Sequence, residues 1–265
     1  MALFTANFLS KSLKRSVTVD LVLPTPAYPE LMQSTNSHPA PYPIVYLMSG
    51  DQYLGNAWFR YTSLERIAET HNIAVVTFNT ERAAGLDETV RIPLGKTKWN
   101  QLTAEDSDFE EIRTYRFSDF LVYELPDFLE ANFRISPRPE DRFIAGQLES
   151  AYSAVLHAAM HPERYKAAGA FSYFQNNANC RLYSQISTSV DPGVPVFLAQ
   201  TASDENPDRS LIPALSGINM TVERYIPPMP GSSRWDFWEQ ALAAFLDWLP
   251  RSDHYAANGL THRRI

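Results

Sequence analysis

An α/β fold is predicted for this chain, with a mainly parallel central sheet and helices on both of its faces. The first observation is a set of short, nearly continuous apolar runs: 44-IVYLM-48, 73-IAVVTF-78, 142-RFIAG-146, 167-AAGAF-171 and 195-PVFLA-199. A strand covered on both faces has no polar side to show, so its sequence does not alternate. The second is the helix-period spacing of the segments between and after them: 57-AWFRYTSLERIAETH-71, 117-FSDFLVYELPDFLEANF-133, 150-SAYSAVLHAAMH-161 and 234-RWDFWEQALAAFLDWLP-250. Strand–helix–strand repetition joins parallel neighbours through crossovers. The third is size and composition: 265 residues, 45% apolar and 20% charged, suffice for a substantial core and argue against global disorder.

Taken in order, the N-terminus MALFTANFLSKSLKRS has an apolar run too short and too interrupted for a secretory leader. No apolar segment reaches membrane-spanning length. Residues 16-SVTVDLVLP-24 alternate with period two, as a half-buried strand does, and stop at a proline. A polar, proline-bearing loop over 25–43 leads into the buried strands. One variable insertion, 84–116, interrupts the pattern; its acidic run 105-EDSDFEE-111 reads as a solvated face, with a lid over the pocket as the alternative. No repeat or linker divides residues 1–250, which are expected to form one domain, and 251–265 is expected to be a loosely held tail. The net charge of −7 argues against a nucleic-acid or anionic-membrane surface. A single cysteine, Cys180, excludes an intrachain disulfide, reads as a small semi-buried hydrophobe and fits a reducing compartment, so a cytoplasmic location is expected.

The stretch 143-FIAGQLESAYSAVLHAAMHPERYKAAGAFSYF-174 raises the functional question. It reads as a strand, a glycine turn, a small-residue helix, a His-Pro-Glu-Arg stop and a second strand. In G-x-S-x-G turns the nucleophilic serine sits on a sharp strand-to-helix corner, where only small residues fit two places before and after it. Gly146 and Ser150 meet that demand around Leu148, and Ala151 follows. Centring the turn on Ser150 would instead crowd Leu148 and Tyr152 into it. The corner is therefore expected at Leu148, and a leucine cannot attack a carbonyl. A bulky side chain there costs about 1–2 kcal/mol of backbone strain, which leaves open whether the turn relaxes.

The segments 46-YLMSGDQYLGNAWFRYTSLERIAE-69, 73-IAVVTFNTER-82, 123-YELPDFLEANFRISPRPEDRFIAGQLESAYSAVLHAAMHPERY-165 and 235-WDFWEQALAAFLDWLP-250 carry a resemblance. The chain resembles the esterase D and tributyrin-esterase group of α/β-hydrolases, which includes S-formylglutathione hydrolases, over most of residues 1–250. The resemblance implies an α/β-hydrolase fold with an antiparallel N-terminal edge, acyl-ester cleavage through a serine, no cofactor or metal, and homo-oligomers. The family's elbow, approximately G-L-S-M-G-G-Y-G-A, is here G-Q-L-E-S-A-Y-S-A from Gly146 to Ala154. Its catalytic histidine, in G-x-H-x-W, falls on Ser233 of 231-GSSRW-235. Its acid falls on Asp204 or Glu205. Its His-Gly ahead of the oxyanion hole becomes Ser49-Gly50, and the hole N–H groups fall on Asp51 and Glu149. Acyl transfer needs a nucleophile, a base and donors aimed at an oxyanion. The first two lack their atoms, and the third carries two carboxylates. Like charges roughly 5 Å apart at an effective dielectric near 20 repel by about 3 kcal/mol, about two decades in rate.

Substitutes are few. Of His38, His71, His157, His161, His254 and His262, His157 and His161 stand one helical turn apart, yet no glutamate follows the first as a zinc-protease motif requires. Helix-surface or C-terminal dipole roles are expected for them, and no metal. Ser150 has no evident base, and Ser153 reads as helix packing. Asp51, Glu149 and Asp204 or Glu205 point to solvent or pair with Arg82 or Arg234; the alternative is a crevice that prefers cations or holds a polar ligand. The expectation is a non-catalytic pseudoenzyme whose vestigial pocket binds a small molecule or partner. The alternatives are a carboxylesterase working through atypical residues and a structural or regulatory subunit of an oligomer.

Overall fold

A computed structural model describes residues 1–25, 41–50, 53–80, 85–93, 110–173, 193–201, 215, 220–226 and 234–251. Eight strands form one mixed sheet: β1 (Ala2–Ser10), β2 (Arg15–Leu23), β3 (Ile44–Met48), β4 (Ala74–Phe78), β7 (Arg142–Gln147), β8 (Ala167–Phe171), β9 (Val196–Ala199) and β10 (Val222–Tyr225). Their spatial order is β1-β2-β4-β3-β7-β8-β9-β10. β2 is antiparallel to both β1 and β4, and every other pair is parallel. The α/β-hydrolase fold, with its antiparallel N-terminal edge, is thus present. A second sheet pairs β5 (Glu88–Pro93) antiparallel with β6 (Glu110–Tyr115) inside the 84–116 insertion.

The continuous apolar runs are explained by two cores. In β3, Ile44, Tyr46 and Met48 enter one cluster while Val45 and Leu47 enter the other, and all five are buried. The first face is covered by α4 (Leu125–Asn132) and α5 (Glu149–Met160), the second by α1 (Ala57–Tyr61), α2 (Leu64–Thr70) and α6 (Arg234–Trp248).

Two expected helices are not single helices. Residues 57–71 break at Thr62, whose backbone is extended and whose hydroxyl donates back to the Trp58 carbonyl, separating α1 from α2. Residues 117–132 run from α3 (Phe117–Asp119) through a π turn (Phe120–Glu124) into α4. Pro126 is the cause, because it has no N–H to give the carbonyl four residues back. The Leu125 N–H bonds the Phe120 carbonyl instead. The two carbonyls left over find side chains: Arg164 donates to Val122 at 2.6 Å and Tyr165 to Leu121 at 3.0 Å.

The chain also forms strands where none was expected. β1 arises from the N-terminal stretch, whose alternation puts Phe4, Ala6 and Phe8 toward α4; Phe8 stacks on Phe128 with ring centres 4.2 Å apart. The turn after β1 is held by Glu124, which accepts from the Ser10 hydroxyl and from the N–H groups of Lys11 and Ser12. Burial alone would raise this carboxyl, but the donors from Ser10, Lys11 and Ser12 outweigh it and hold it below the usual range. β10, β5 and β6 are the other additions. Among the described residues no helix is long and apolar enough to cross a membrane.

Candidate functional site

β7 ends at Gln147 and α5 begins at Glu149, so a single residue turns the corner. That residue is Leu148, at φ 54° and ψ −123°. L-residues, unlike achiral glycine, avoid this region, which costs them about 1–3 kcal/mol. The turn has not relaxed. Its N–H donates to the Phe171 carbonyl at 3.0 Å, and its carbonyl accepts from Ala151 at 3.1 Å. Its side chain is 7% exposed and packs in the second core. Burying a leucine stabilises by about 1.5–3 kcal/mol, enough to offset the strain. Beside it, Ser172 closes β8 with φ 48°, and its hydroxyl oxygen accepts from the Trp238 indole at 3.1 Å. Two strained corners therefore stand side by side at the C-terminal ends of the parallel strands, where sheets of this kind bind ligands.

The crowding expected of the elbow is present. A Cβ on Gly146 would lie 2.3 Å from the Ser150 carbonyl oxygen, a contact with backbone that cannot yield. Gly50, after β3, packs against the corner: a Cβ there would lie 3.3 Å from Leu148 Cβ, from the Gln147 carbonyl oxygen and from Glu149 Oε2. Glu149 is half-buried, and this Oε2 is buried without a hydrogen-bond partner among the described residues. The carboxylate thus leans over Gly50, where the donors of an oxyanion hole would be needed.

Ser150 is no reserve nucleophile in this arrangement. It is fully buried, and its hydroxyl donates to the Ser49 carbonyl at 2.7 Å. Thr80, after β4, donates to the same carbonyl at 2.8 Å. Together they tie the β3 loop to the elbow. Sequence reasoning passed over Thr80; its position just past an apolar strand, in line with Ser49 past β3, is the signal that marks it. Gln147 and Ser49 were also not expected to matter as side chains. Both are fully buried with polar atoms lacking partners among the described residues.

His157 departs from expectation. It is not on the helix surface but 1% exposed, and its Nε2 donates to the Gly85 carbonyl at 2.8 Å. Burial pushes its pKa down to about 4, so it is neutral and pins the root of the 84–116 insertion against α5. An imidazole so engaged is not poised as half of a metal pair with His161. Among the described residues no group of three His, Cys, Asp or Glu side chains could hold a metal. His71 caps α2, with Nδ1 on the Ile67 carbonyl at 2.7 Å and Nε2 3.2 Å from Asp247. Asp51, Arg82, Asp204, Glu205, Ser233, Cys180, His38, His254 and His262 lie outside the described residues, as do the acidic run 105–109 and the tail beyond 251.

The fold has counterparts. The family model described as "Putative esterase" matches residues 10–216, and the chain belongs to that esterase family. In three dimensions it is similar to the fluorophosphonate-binding serine hydrolase FphF of Staphylococcus aureus, with a TM-score of 0.68, 18% identity, and 94% of this chain and 98% of that one covered. It is similar to the S-formylglutathione hydrolase FrmB of the same organism, with a TM-score of 0.63 at 18% identity, over 94% of this chain and 98% of that one. An S-formylglutathione hydrolase of Agrobacterium tumefaciens aligns at 0.63 and 16% identity, covering 93% of each chain. These solved structures share the α/β-hydrolase fold described above.

Proposed function

We propose that this esterase-family protein does not turn over esters by the serine mechanism and that its crevice binds a small polar ligand or a partner instead. The observation that carries the proposal is Leu148 at the strained corner, buried in the core and offering no atom that could become an alkoxide. The serine on the elbow helix's first turn, Ser150, is spent on the Ser49 carbonyl. Glu149 leans over Gly50 and would repel a developing oxyanion. Ser233, at the position where the resemblance expects a histidine, adds a second missing part.

The test restores what is missing. Leu148→Ser with Ser233→His should release weak hydrolysis of short-chain p-nitrophenyl esters, while the native chain and each single variant stay silent. Hydrolysis by the native chain, with a fluorophosphonate adduct on one serine and activity lost on its substitution, would establish the alternative of an esterase acting through atypical residues. Activity in Leu148→Ser alone would show that Ser233 is not the base position. For binding, thermal shift against acyl esters, sugars and divalent ions should yield a stabilising ligand, since native-state binding raises stability. No shift from any of them would favour a subunit role.

A further inference from the structure

The outer edge of β1 breaks the rules that keep sheet edges apart. Natural edges are short, or carry lysine, proline or a bulge, because unpaired N–H and C=O groups template further strands. β1 runs nine residues, Ala2–Ser10, as ALFTANFLS, with no charge, proline or glycine. Leu3, Phe4 and Leu9 are 50%, 40% and 74% exposed. The opposite edge obeys the rules: β10 has four residues, two of them Glu223 and Arg224. Among the described residues, protection is thus present at one end of the same sheet and missing at the other.

We propose that β1 pairs antiparallel with β1 of a second copy of this chain, about a two-fold axis through Ala6 perpendicular to the sheet. A two-fold axis dictates who faces whom, so the sequence itself must be self-complementary. Centred on Ala6, Leu3 lies opposite Leu9 of the partner copy, Phe4 opposite its Phe8, Thr5 opposite its Asn7, and Ala6 opposite itself. From Leu3 to Leu9 every apolar side chain meets an apolar one and every polar one a polar one; only the end pair, Ala2 opposite Ser10, mixes the two. Moving the axis to Thr5 sets Leu3 against Asn7, and moving it to Asn7 sets Leu9 against Thr5. A register change must be by whole pleats to keep like faces together, so these are the nearest competitors, and both mismatch. No residue of the strand is charged, so symmetry places no like charges face to face. On the helix side, Phe8 stacks on Phe128 and Phe4 tilts against Phe133. The Phe4–Phe8 pairs would join these two aromatic rows across the axis. The outcome is a continuous sixteen-stranded sheet built from two eight-stranded ones.

Two double variants test both the interface and its register. Leu3→Lys with Leu9→Lys sets lysine against lysine twice per dimer; Leu3→Lys with Leu9→Glu sets lysine against glutamate twice. Leu3 and Leu9 are exposed, so circular dichroism should show both variants folded. Sedimentation or light scattering of the full chain should give a dimer for the native protein. The lysine–lysine variant should raise its dissociation constant about a hundredfold or more, while the lysine–glutamate variant stays dimeric. A native chain that is monomeric throughout, a dimer indifferent to both variants, or equal loss in both, overturns the proposal. A monomer whose β1 amides resist hydrogen exchange would overturn it too, assigning the edge to another segment of this chain. None of these readouts involves ester hydrolysis or ligand binding, so the result stands or falls apart from the proposed function.

Discussion

The crest of the sheet at β7–β8 and its margin at β1 both break local rules, in opposite ways. At the crest the backbone is strained and the side chains are buried: Leu148 and Ser172 take positive φ, and neither is more than 7% exposed. At β1 the backbone is relaxed and the side chains are out of place, with Leu9 74% exposed. Strain persists only where packing over-determines it, and exposed apolar edges persist where something covers them. The contrast teaches that packing within the chain accounts for the broken rule at the crest, whereas the one at the margin is met only by the strand pairing proposed above.

Breaking the crest should have the largest effect. Gly146→Val would drive Cβ into the Ser150 backbone, and a loss of more than about 4 kcal/mol is expected, seen as loss of soluble folded protein. A soluble variant with native circular dichroism would show that the elbow can open.

Acid should come next. His157 has a folded pKa of about 4 against an ordinary 6.5, so the unfolded chain takes up the proton first. Stability is then complete above about pH 6.5 and falls by about 3 kcal/mol on the way down to pH 4. Urea midpoints measured across that range should show the slope, and His157→Gln should remove most of it.

At the margin, Glu124→Gln should cost about 1.5–3 kcal/mol, because charge-assisted bonds to Ser10, Lys11 and Ser12 are weakened. Its carboxyl is depressed in the folded state, so this contribution is full at neutral pH and is lost as pH falls through the carboxylate range. Faster hydrogen exchange at the Lys11 and Ser12 amides would report it, and unchanged exchange would remove Glu124 as the clamp of the β1 turn.

The smallest effect sharpens the comparison most. At Leu148, glycine should be more stable than alanine by about 1 kcal/mol, the reverse of the usual order, because both lose the leucine's burial and only glycine escapes the strain. Thermal midpoints of the two variants decide it. Alanine above glycine would mean that the corner is relaxed in solution.

Much of the fold was legible because burial writes itself into the sequence. The runs 44–48 and 167–171 are apolar throughout because both faces of β3 and β8 are covered, and the structure buries every residue in them. The elbow was legible for a steric reason, since only Gly146 fits against the Ser150 backbone. β1 was missed because its signal is divided: only Phe4, Ala6 and Phe8 face the helices, and the exposed face holds leucines where polar residues were sought. The break after Tyr61 and the π turn before Pro126 were missed because helical period survives a local change in hydrogen bonding.

By itself the sequence determined the six inner strands of the sheet, the place of its corner and the absence of a hydroxyl there, since each follows from side-chain volume, polarity and spacing along the chain. Tertiary structure alone decided that the corner stays strained, that Ser150 is tied to Ser49, that His157 is buried on Gly85, and that β1 is an edge. Those facts depend on which distant segments meet. The balance between strain and burial at Leu148 is set by neighbours far away in the chain, such as Phe171, and local pattern carries no record of them.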